Sequence, residues 1–585
     1  MNSAGVTPRP FGAGMRRPRR RRWGVEQAVM GAMILVLLIL IALPLLSLII
    51  GSLHRGGTLS GHFFAQVFSS WYYLGPLVNS LVLGAWTALF SILIGVPLAW
   101  AVSRTDIPGK RFVRVTAVLS YVSPPFLLAI GFVNLLSPNA GVINVFFHDV
   151  IGARWLTFNV FTMQGLVLVT VLHTFPFVYM LTSSALASVD VSYEEASRIL
   201  GAGRLRTALG VTLPLVAPAI LSGSLIAFLT AISLFGSQAI VGLPGRIMTL
   251  PTLIFSLFSY PAQYGLASAL SLIFIAITVG ALYLQRILLA HRSYVTIGGK
   301  GSRTELIRLG AARWLLFCFA VLIFIVALVL PYGVLLAMSF SKSWGLHFLH
   351  GLTFTNYAYV LFSYDVTRRA ISNSVFLAIA TATAAVALGT LIAWLDLRTQ
   401  VPGRRLFDYT ALIPLGLPGI VMAVSLLQFW LAMPVALYGT FTILFLAYLA
   451  RYMPLSVRAA SSSLRQVDGA LEESARILGA SWGQTLREIT IPLIRPGIFT
   501  GWILAFVPAF HELSASILLF SAGTITLSVA IFNLQNSGFT EPVAALAIIN
   551  IVVIAIVLAI ANQLNRRLAR GQSTSVDAGS LGTPG

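Results

Sequence analysis

The chain has 585 residues, of which 9% are Asp, Glu, Lys or Arg and 57% are apolar, whereas ordinary soluble proteins are roughly 25% charged. With a mean hydropathy of +0.90, this composition excludes a soluble globular protein and describes an integral membrane protein. The single cysteine, Cys318 inside WLLFCFAVLIF, excludes a disulfide framework and a thiolate metal site, and the formal charge of +21 has to be mapped onto the topology before it is read as a nucleic-acid signal.

Residues 1–26 form a basic N-terminus ending in RRPRRRRWG and a short polar stretch. The apolar run behind it is too long for a signal-peptide core and has no small-residue cleavage site, so an uncleaved anchor is predicted and a twin-arginine signal at Arg17 is not. Crossing a hydrocarbon core of about 30 Å takes roughly 20 residues. Twelve such runs follow, at 27–50, 77–103, 115–137, 160–188, 214–240, 263–288, 313–340, 371–396, 408–432, 437–461, 493–522 and 542–565. Pro176, Pro218 and Glu512 interrupt the fourth, fifth and eleventh.

With both termini inside, the inner segments hold 32 of the 38 Lys and Arg, and the outer side holds Arg55, Arg154, Arg246, Lys342, Arg368 and Arg369. This excess is spread thinly over every inner loop, with no patch interleaved with aromatics, which argues against nucleic acid. The outer loops add only scattered His54, His148, Asp149, His347, His350 and Asp365. Residues 568–585, which include GQSTSVDAGSLGTPG, have nothing apolar to fold around and are expected to be a disordered tail.

The chain repeats itself. Residues 190–220 laid on 468–498, an offset of 278, give 14 identities in 31 positions without a gap. Earlier, NSLVLGAWTALFSILIGVPLAWAVSRTDIPGKR from Asn79 matches NSVFLAIATATAAVALGTLIAWLDLRTQVPGRR from Asn373 at an offset of 294, so the first half carries a longer outer loop within SPNAGVINVFFHDVIGARW. The halves are 27–292 and 313–567, joined by an inner linker at 293–312. Six spans each, an even number, give both halves the same orientation and a pseudo-twofold axis along the membrane normal, with a path between them.

Within each half the polar inner segment, 190–214 or 468–492, reads as a bent helix pair. Asp190 and Asp468 cap its first helix. Glu194 and Arg198, like Glu472 and Arg476, have i,i+4 spacing in the favourable order. Gly201 and Gly479 suit the left-handed turn that ends it. A second amphipathic arm carries Leu205 and Leu209, or Trp482, Leu486 and Ile489, before Pro214 or Pro492 opens the next span.

EASRILGAGRLRTALGVTLP, from Glu195 to Pro214, and ESARILGASWGQTLREITIP, from Glu473 to Pro492, resemble the EAA loop of permease subunits of binding-protein-dependent ABC importers. The pattern is Glu-Ala-Ala, three residues, Gly, nine residues, Ile-x-Leu-Pro, and the departures are mild: Ser197 and Val211, Ser474 and Ile491. Two loops in one chain resemble a fused permease. The resemblance implies an all-α polytopic protein of about 12 transmembrane helices in two parallel six-helix repeats, the type I importer (MetI-like) fold, in a bacterial inner membrane with both termini cytoplasmic. It implies that Glu194, Glu195, Ala196 and Gly201, and Glu472, Glu473, Ser474 and Gly479, dock a homodimeric ATPase, one subunit per loop. It also implies a periplasmic or extracellular substrate-binding protein as a second partner, beside membrane lipid.

The chain contains no G-x-x-x-x-G-K-[ST], since neither Gly109-Lys110 nor Gly299-Lys300 is followed by Ser or Thr. It is therefore expected to be no enzyme and to hold no cofactor, ATP belonging to the partner. Fused permeases of this size resemble mainly the ferric-iron group, with thiamine permeases close. HELSASILLFSAGTITLSVAIF, 511–532, and FGSQAIVGLPGRIMTLPTLIFSLF, from Phe235, carry that likeness. Phosphonate, polyamine and sugar importers share much of the pattern. A translocation path through His511, Glu512, Ser514, Ser233 and Ser237 is expected. Glu512 is open to two readings, a path-lining acid for a cationic or metal-bearing substrate or an interhelical hydrogen bond that holds the gate. One His-Glu pair is too small a ligand set for a metal site. A secondary transporter would need more ion-coupling residues in its spans, and a membrane enzyme would need clustered acids or bases on one face.

Overall fold

The computed structural model describes residues 25–190, 192–290, 306–344, 351–399 and 403–580. The basic N-terminus, most of the linker, His347 and His350 lie outside the described residues. Among those described, ten helices are long and apolar enough to cross a membrane: Gln27–Leu53, Trp71–Arg104, Met163–Ser188, Ala208–Ser233, Tyr264–Leu289, Ala312–Ser339, Val366–Arg398, Phe441–Leu464, Trp482–Phe510 and Thr540–Asn565. Two bent pairs bring the number to twelve, and we number the spans 1 to 12 in chain order.

Spans 3 and 9, expected as single helices, are broken. Lys110–Val122 meets Pro125–Leu136 at 98°, and Tyr409–Gly416 meets Gly419–Leu431 at 115°. The breaks fall at Ser123-Pro124 and Leu417-Pro418, where the residue before proline is pushed out of the helical region (Ser123 ψ 126°, Leu417 ψ 130°). Spans 5 and 11 are also shorter than expected. They stop at Ser233 and Phe510, and the apolar stretches behind them form only the short turns Gln238–Gly242 and Ser516–Leu519, ahead of the helices Leu250–Ser256 and Leu527–Asn536. Apolarity alone does not show where a buried chain turns. The last helix runs on to Ser580, so most of the tail expected to be disordered continues the helix of span 12, with no proline to stop it.

Proline shapes the chain a second way. The expected second arm and the span behind it form one continuous helix, with π-turns at Ala208–Thr212 and Leu486–Thr490 just before Pro214 and Pro492. Spans 1 and 7 do the same at Leu38–Ala42 before Pro44 and at Ile325–Val329 before Pro331. Proline offers no N–H and crowds the carbonyl one turn back, and a locally widened turn accommodates both defects without ending the helix.

Spans 2, 4 and 5 pack together, as do their counterparts 8, 10 and 11. Both triangles depend on a glycine at the same place. A Cβ on Gly95 would come within 2.9 Å of the Tyr179 backbone nitrogen, and one on Gly389 within 2.8 Å of that of Val457, so only glycine lets these backbones approach. Each half is latched at its outer end in the same way. Asn79 donates to the Met248 carbonyl at 2.9 Å and Ser80 Oγ accepts from the Leu250 N–H at 2.8 Å; Asn373 donates to the Ile525 carbonyl at 2.9 Å and Ser374 Oγ accepts from the Leu527 N–H at 2.7 Å.

The leading span of each half crosses to the other half. Span 1 packs on span 6 and on Gly419–Leu431, while span 7 packs on span 12 and on Pro125–Leu136. Ser47 Oγ donates to the Ser425 carbonyl at 3.1 Å, and Gln428 Nε2 reaches Ser268 Oγ at 2.5 Å. The interleaving produces one large core containing Leu48, Phe126, Leu335 and Ile420. The extra length of the first half's outer loop forms short helical turns at Val142–Val150, tied down by Asn144 to the Ser137 and Phe158 carbonyls. Cys318 is exposed on span 7.

Candidate functional site

The two repeated inner segments fold alike. Ser192–Ile199 and Ala470–Ile477 are the short helices. The carboxylates of Asp190 and Asp468 accept from the N–H groups of Ser192 at 2.9 Å and Ala470 at 3.0 Å, which satisfies an otherwise orphan donor at each start. Gly201 and Gly479 close them at φ +84° and +90°, in the left-handed region where glycine bears no Cβ penalty.

Glu194 and Glu472 turn inward. Glu194 Oε1 lies 3.2 Å from Arg104 Nε and accepts from Thr212 Oγ1 at 2.9 Å; Glu472 Oε1 lies 3.4 Å from Arg398 Nε and accepts from Thr490 Oγ1 at 2.9 Å. Arg104 also donates to the Val189 carbonyl, and Arg398 to those of Leu464 and Val467. Each arginine ends a span, so each arm is bolted through its glutamate to spans 2 and 5, or to 8 and 11. Sequence spacing had paired these glutamates with Arg198 and Arg476, and the side chain of Arg198 lies outside the described residues. A partner distant in sequence leaves no local spacing to read.

The other expected docking residues, Glu195, Ala196, Gly201, Glu473, Ser474 and Gly479, are exposed. Sequence reasoning missed the pair beside them. Ile199 and Leu200 are 86% and 87% exposed, and Ile477 and Leu478 are 85% and 87% exposed, at the tip of each arm. The signal was present in both copies as an apolar pair, Ile-Leu, stranded before glycine in a polar segment. Four large apolar side chains are thus held in the open at matching places of the two arms.

The second feature is a cavity of about 210 Å³ between the halves. Tyr121, Ser123 and His173 line it from the first half, and Arg451, Tyr452, His511, Glu512 and Ser514 from the second. Of the expected path residues, His511, Glu512 and Ser514 meet here, whereas Ser233 and Ser237 are not in its lining. Arg451, counted with the inner loops from sequence, lies within span 10 and pairs with Glu512 at 3.4 Å. It also donates to the Leu417 carbonyl at 2.8 Å. The Glu512 carboxylate is 5% exposed and fully engaged, accepting from Tyr452 OH and, at 2.7 Å, from the Ala515 N–H. Across the repeat, at an offset of 278, His173 stands where Arg451 does and Leu234 where Glu512 does, so the halves are unlike at this cavity.

Residues 90–293 and 385–570 match the family described as binding-protein-dependent transport system inner membrane component. The ferric transport system permease protein FbpB of Actinobacillus pleuropneumoniae is 26% identical over 557 residues, 91% of this chain and 78% of that protein. The putative ferric transport system permease protein FbpB 1 of Haemophilus influenzae is 27% identical, over 84% of this chain and 77% of its own. The molybdenum transport system permease protein ModB of Escherichia coli K12 is 32% identical over 35% of this chain and 89% of its own. A chain of a bacterial alginate ABC transporter, solved with an alginate-bound periplasmic protein, superposes at a TM-score of 0.41 with 18% identity, covering 47% of this chain and 96% of its own.

Proposed function

Because the chain belongs to the family of binding-protein-dependent transport system inner membrane components and carries that unit twice, as the fused permease of an ABC importer, we propose that it moves ferric iron across the bacterial inner membrane, driven by separate ATPase subunits. The observation that carries the coupling is the pair of rigid inner arms, each bolted to two spans and ending in an exposed Ile-Leu tip. A dimeric ATPase has two equivalent clefts to fill, and closing them would pull both arms together. The arms would then move spans 2, 5, 8 and 11, of which 5 and 11 line the cavity through Thr230, Val507 and Pro508.

Ferric iron is favoured by extent of match. The ferric permeases align along most of this chain, whereas the molybdenum and the spermidine/putrescine permeases align with about a third to two fifths of it. A soluble binding protein on the outer face would deliver the substrate, and both termini would be cytoplasmic.

Reversing the exposed charge on both arms, Glu195→Lys with Glu473→Lys, should abolish recovery of the ATPase from membranes while leaving insertion intact. Each single variant should be partly impaired, since one loop still grips. Normal ATPase yield and normal uptake in the double variant would refute the docking role. Radioactive iron uptake by cells carrying the complete transporter, compared with molybdate and spermidine, tests the substrate.

A further inference from the structure

We propose that the cavity between the halves is a transit site for a transition-metal cation, with the imidazoles of His173 and His511, one from each repeat, as its open ligands. The proposal rests on the metal-importer reading above and names the groups that would handle the metal inside the permease.

Glu512 is the obvious acid, yet it is not free: Arg451 neutralises it, and Tyr452 and the Ala515 N–H occupy its oxygens. The unmet valences belong to the histidines. His173 is 8% exposed and its ring is held against the Ser120 and Ser123 backbone, but its Nδ1 makes no well-formed hydrogen bond; neither ring nitrogen of His511 has a partner. A buried polar group without a partner is costly, so two such rings lining one cavity are suited to hold a ligand there. A neutral imidazole keeps one lone pair, and that donor suits iron, zinc, copper and nickel.

Among the described residues no group of three or more His, Cys, Asp or Glu is placed to hold a metal. Two imidazoles, with the Tyr121 and Ser514 hydroxyls as neighbours in the same lining, therefore make a weak site. Weakness suits transit, because a path must bind strongly enough to admit and loosely enough to release. The Glu512–Arg451 pair keeps the resting cavity near neutral. Because the two histidines belong to different halves, moving the halves apart would split the site and release its occupant.

The test uses the full chain in detergent, carrying a tag without histidine, with Zn²⁺ and with ferric citrate as probes. Wild type is expected to bind one equivalent of metal in this site, His173→Gln and His511→Gln each at least tenfold more weakly, and the double variant not at all above the background of exposed histidines. At one equivalent of Zn²⁺, X-ray absorption of the unaltered protein should show imidazole scattering, a readout that needs no variant to fold. Undiminished binding in a folded double variant, or a zinc spectrum without imidazole, overturns the site. Histidine-dependent zinc binding together with absent iron uptake keeps the site and sinks the ferric reading. Normal iron uptake by the double variant, with unaltered metal binding, does the reverse.

Discussion

Arg104 Nε stands 3.2 Å from Glu194 Oε1 with both side chains buried, and this bond joins the end of span 2 to the arm that follows span 4. Its counterpart, Arg398 with Glu472, makes the same connection in the other half. Removing one member of such a pair strands a buried charge, at a cost of about 3–5 kcal/mol. Glu194→Ala and Glu472→Ala should each lower the thermal unfolding temperature, and surviving folded complex should hydrolyse ATP with reduced transport per ATP. Coupling unchanged in folded Glu194→Ala would show that the bolt transmits nothing.

The apolar tips lead to an opposite expectation for stability. Ile199, Leu200, Ile477 and Leu478 are almost fully exposed, so Asp substitutions there remove no packing. Ile199→Asp with Leu200→Asp should leave unfolding within about 0.5 kcal/mol of wild type and strongly weaken capture of the ATPase. Purification of the permease with and without its ATPase separates the two effects.

At the cavity, Glu512→Gln keeps the carboxylate's size and much of its hydrogen bonding but leaves the half-buried Arg451 without its counter-charge. It should destabilise by about 3–5 kcal/mol, and Arg451→Gln in the same chain should recover a large part of that. A double-mutant cycle on unfolding measures the coupling. Uptake normalised to folded, ATPase-bound complex then reports the path: normal uptake in Glu512→Gln would leave the carboxylate a purely structural role.

The outer latches are smaller. Ser80→Ala and Ser374→Ala each leave a buried N–H, on Leu250 or Leu527, without its acceptor. The expected loss is roughly 1 kcal/mol apiece. Because the sites lie in different halves, the losses should add in the double variant, which a thermal unfolding series would check.

Asp106, in the inner turn behind span 2, offers a pH-dependent contact. It accepts from the Leu309 N–H at 2.9 Å and lies 3.6 Å from Arg313, so the end of the linker is strapped to this turn. That backbone hydrogen bond, followed by the arginine, holds its carboxyl below the ordinary value of 3.8. A depressed carboxyl contributes stability that is present above 3.8 and is lost as pH falls through the lower folded value. The protection of the Ile307 and Leu309 amides, taken relative to the intrinsic exchange rate at each pH, should fall on strong acidification, and Asp106→Asn should abolish that dependence while lowering protection at neutral pH.

Much of this was legible in the sequence because it is local or periodic. Composition and run length identify the membrane class, the offset of 278 reveals the duplication, and Asp190, Gly201 and their counterparts mark the ends of the arms through short-range backbone chemistry. The breaks of spans 3 and 9 were written as Ser123-Pro124 and Leu417-Pro418, but proline has more than one outcome in this chain, and Pro97, Pro176 and Pro454 sit inside unbroken helices. It breaks a helix where the preceding residue leaves the helical region, and it rides on a π-turn at Pro44, Pro214, Pro331 and Pro492. Packing by neighbouring helices selects between them, and neighbours cannot be read from spacing.

The sequence by itself therefore determined the class, the twofold repeat, the topology expected from charge, and the two repeated polar segments, since each depends on composition or on residues a few positions apart. Only the tertiary structure decided which glutamates are exposed and which are bolts, that Arg451 leaves the loops to neutralise Glu512, and that His173 and His511 line one cavity. These facts join residues dozens to hundreds of positions apart. A buried charge takes whichever counter-charge folding brings within reach, and in this chain that choice is made by the interleaving of the two halves.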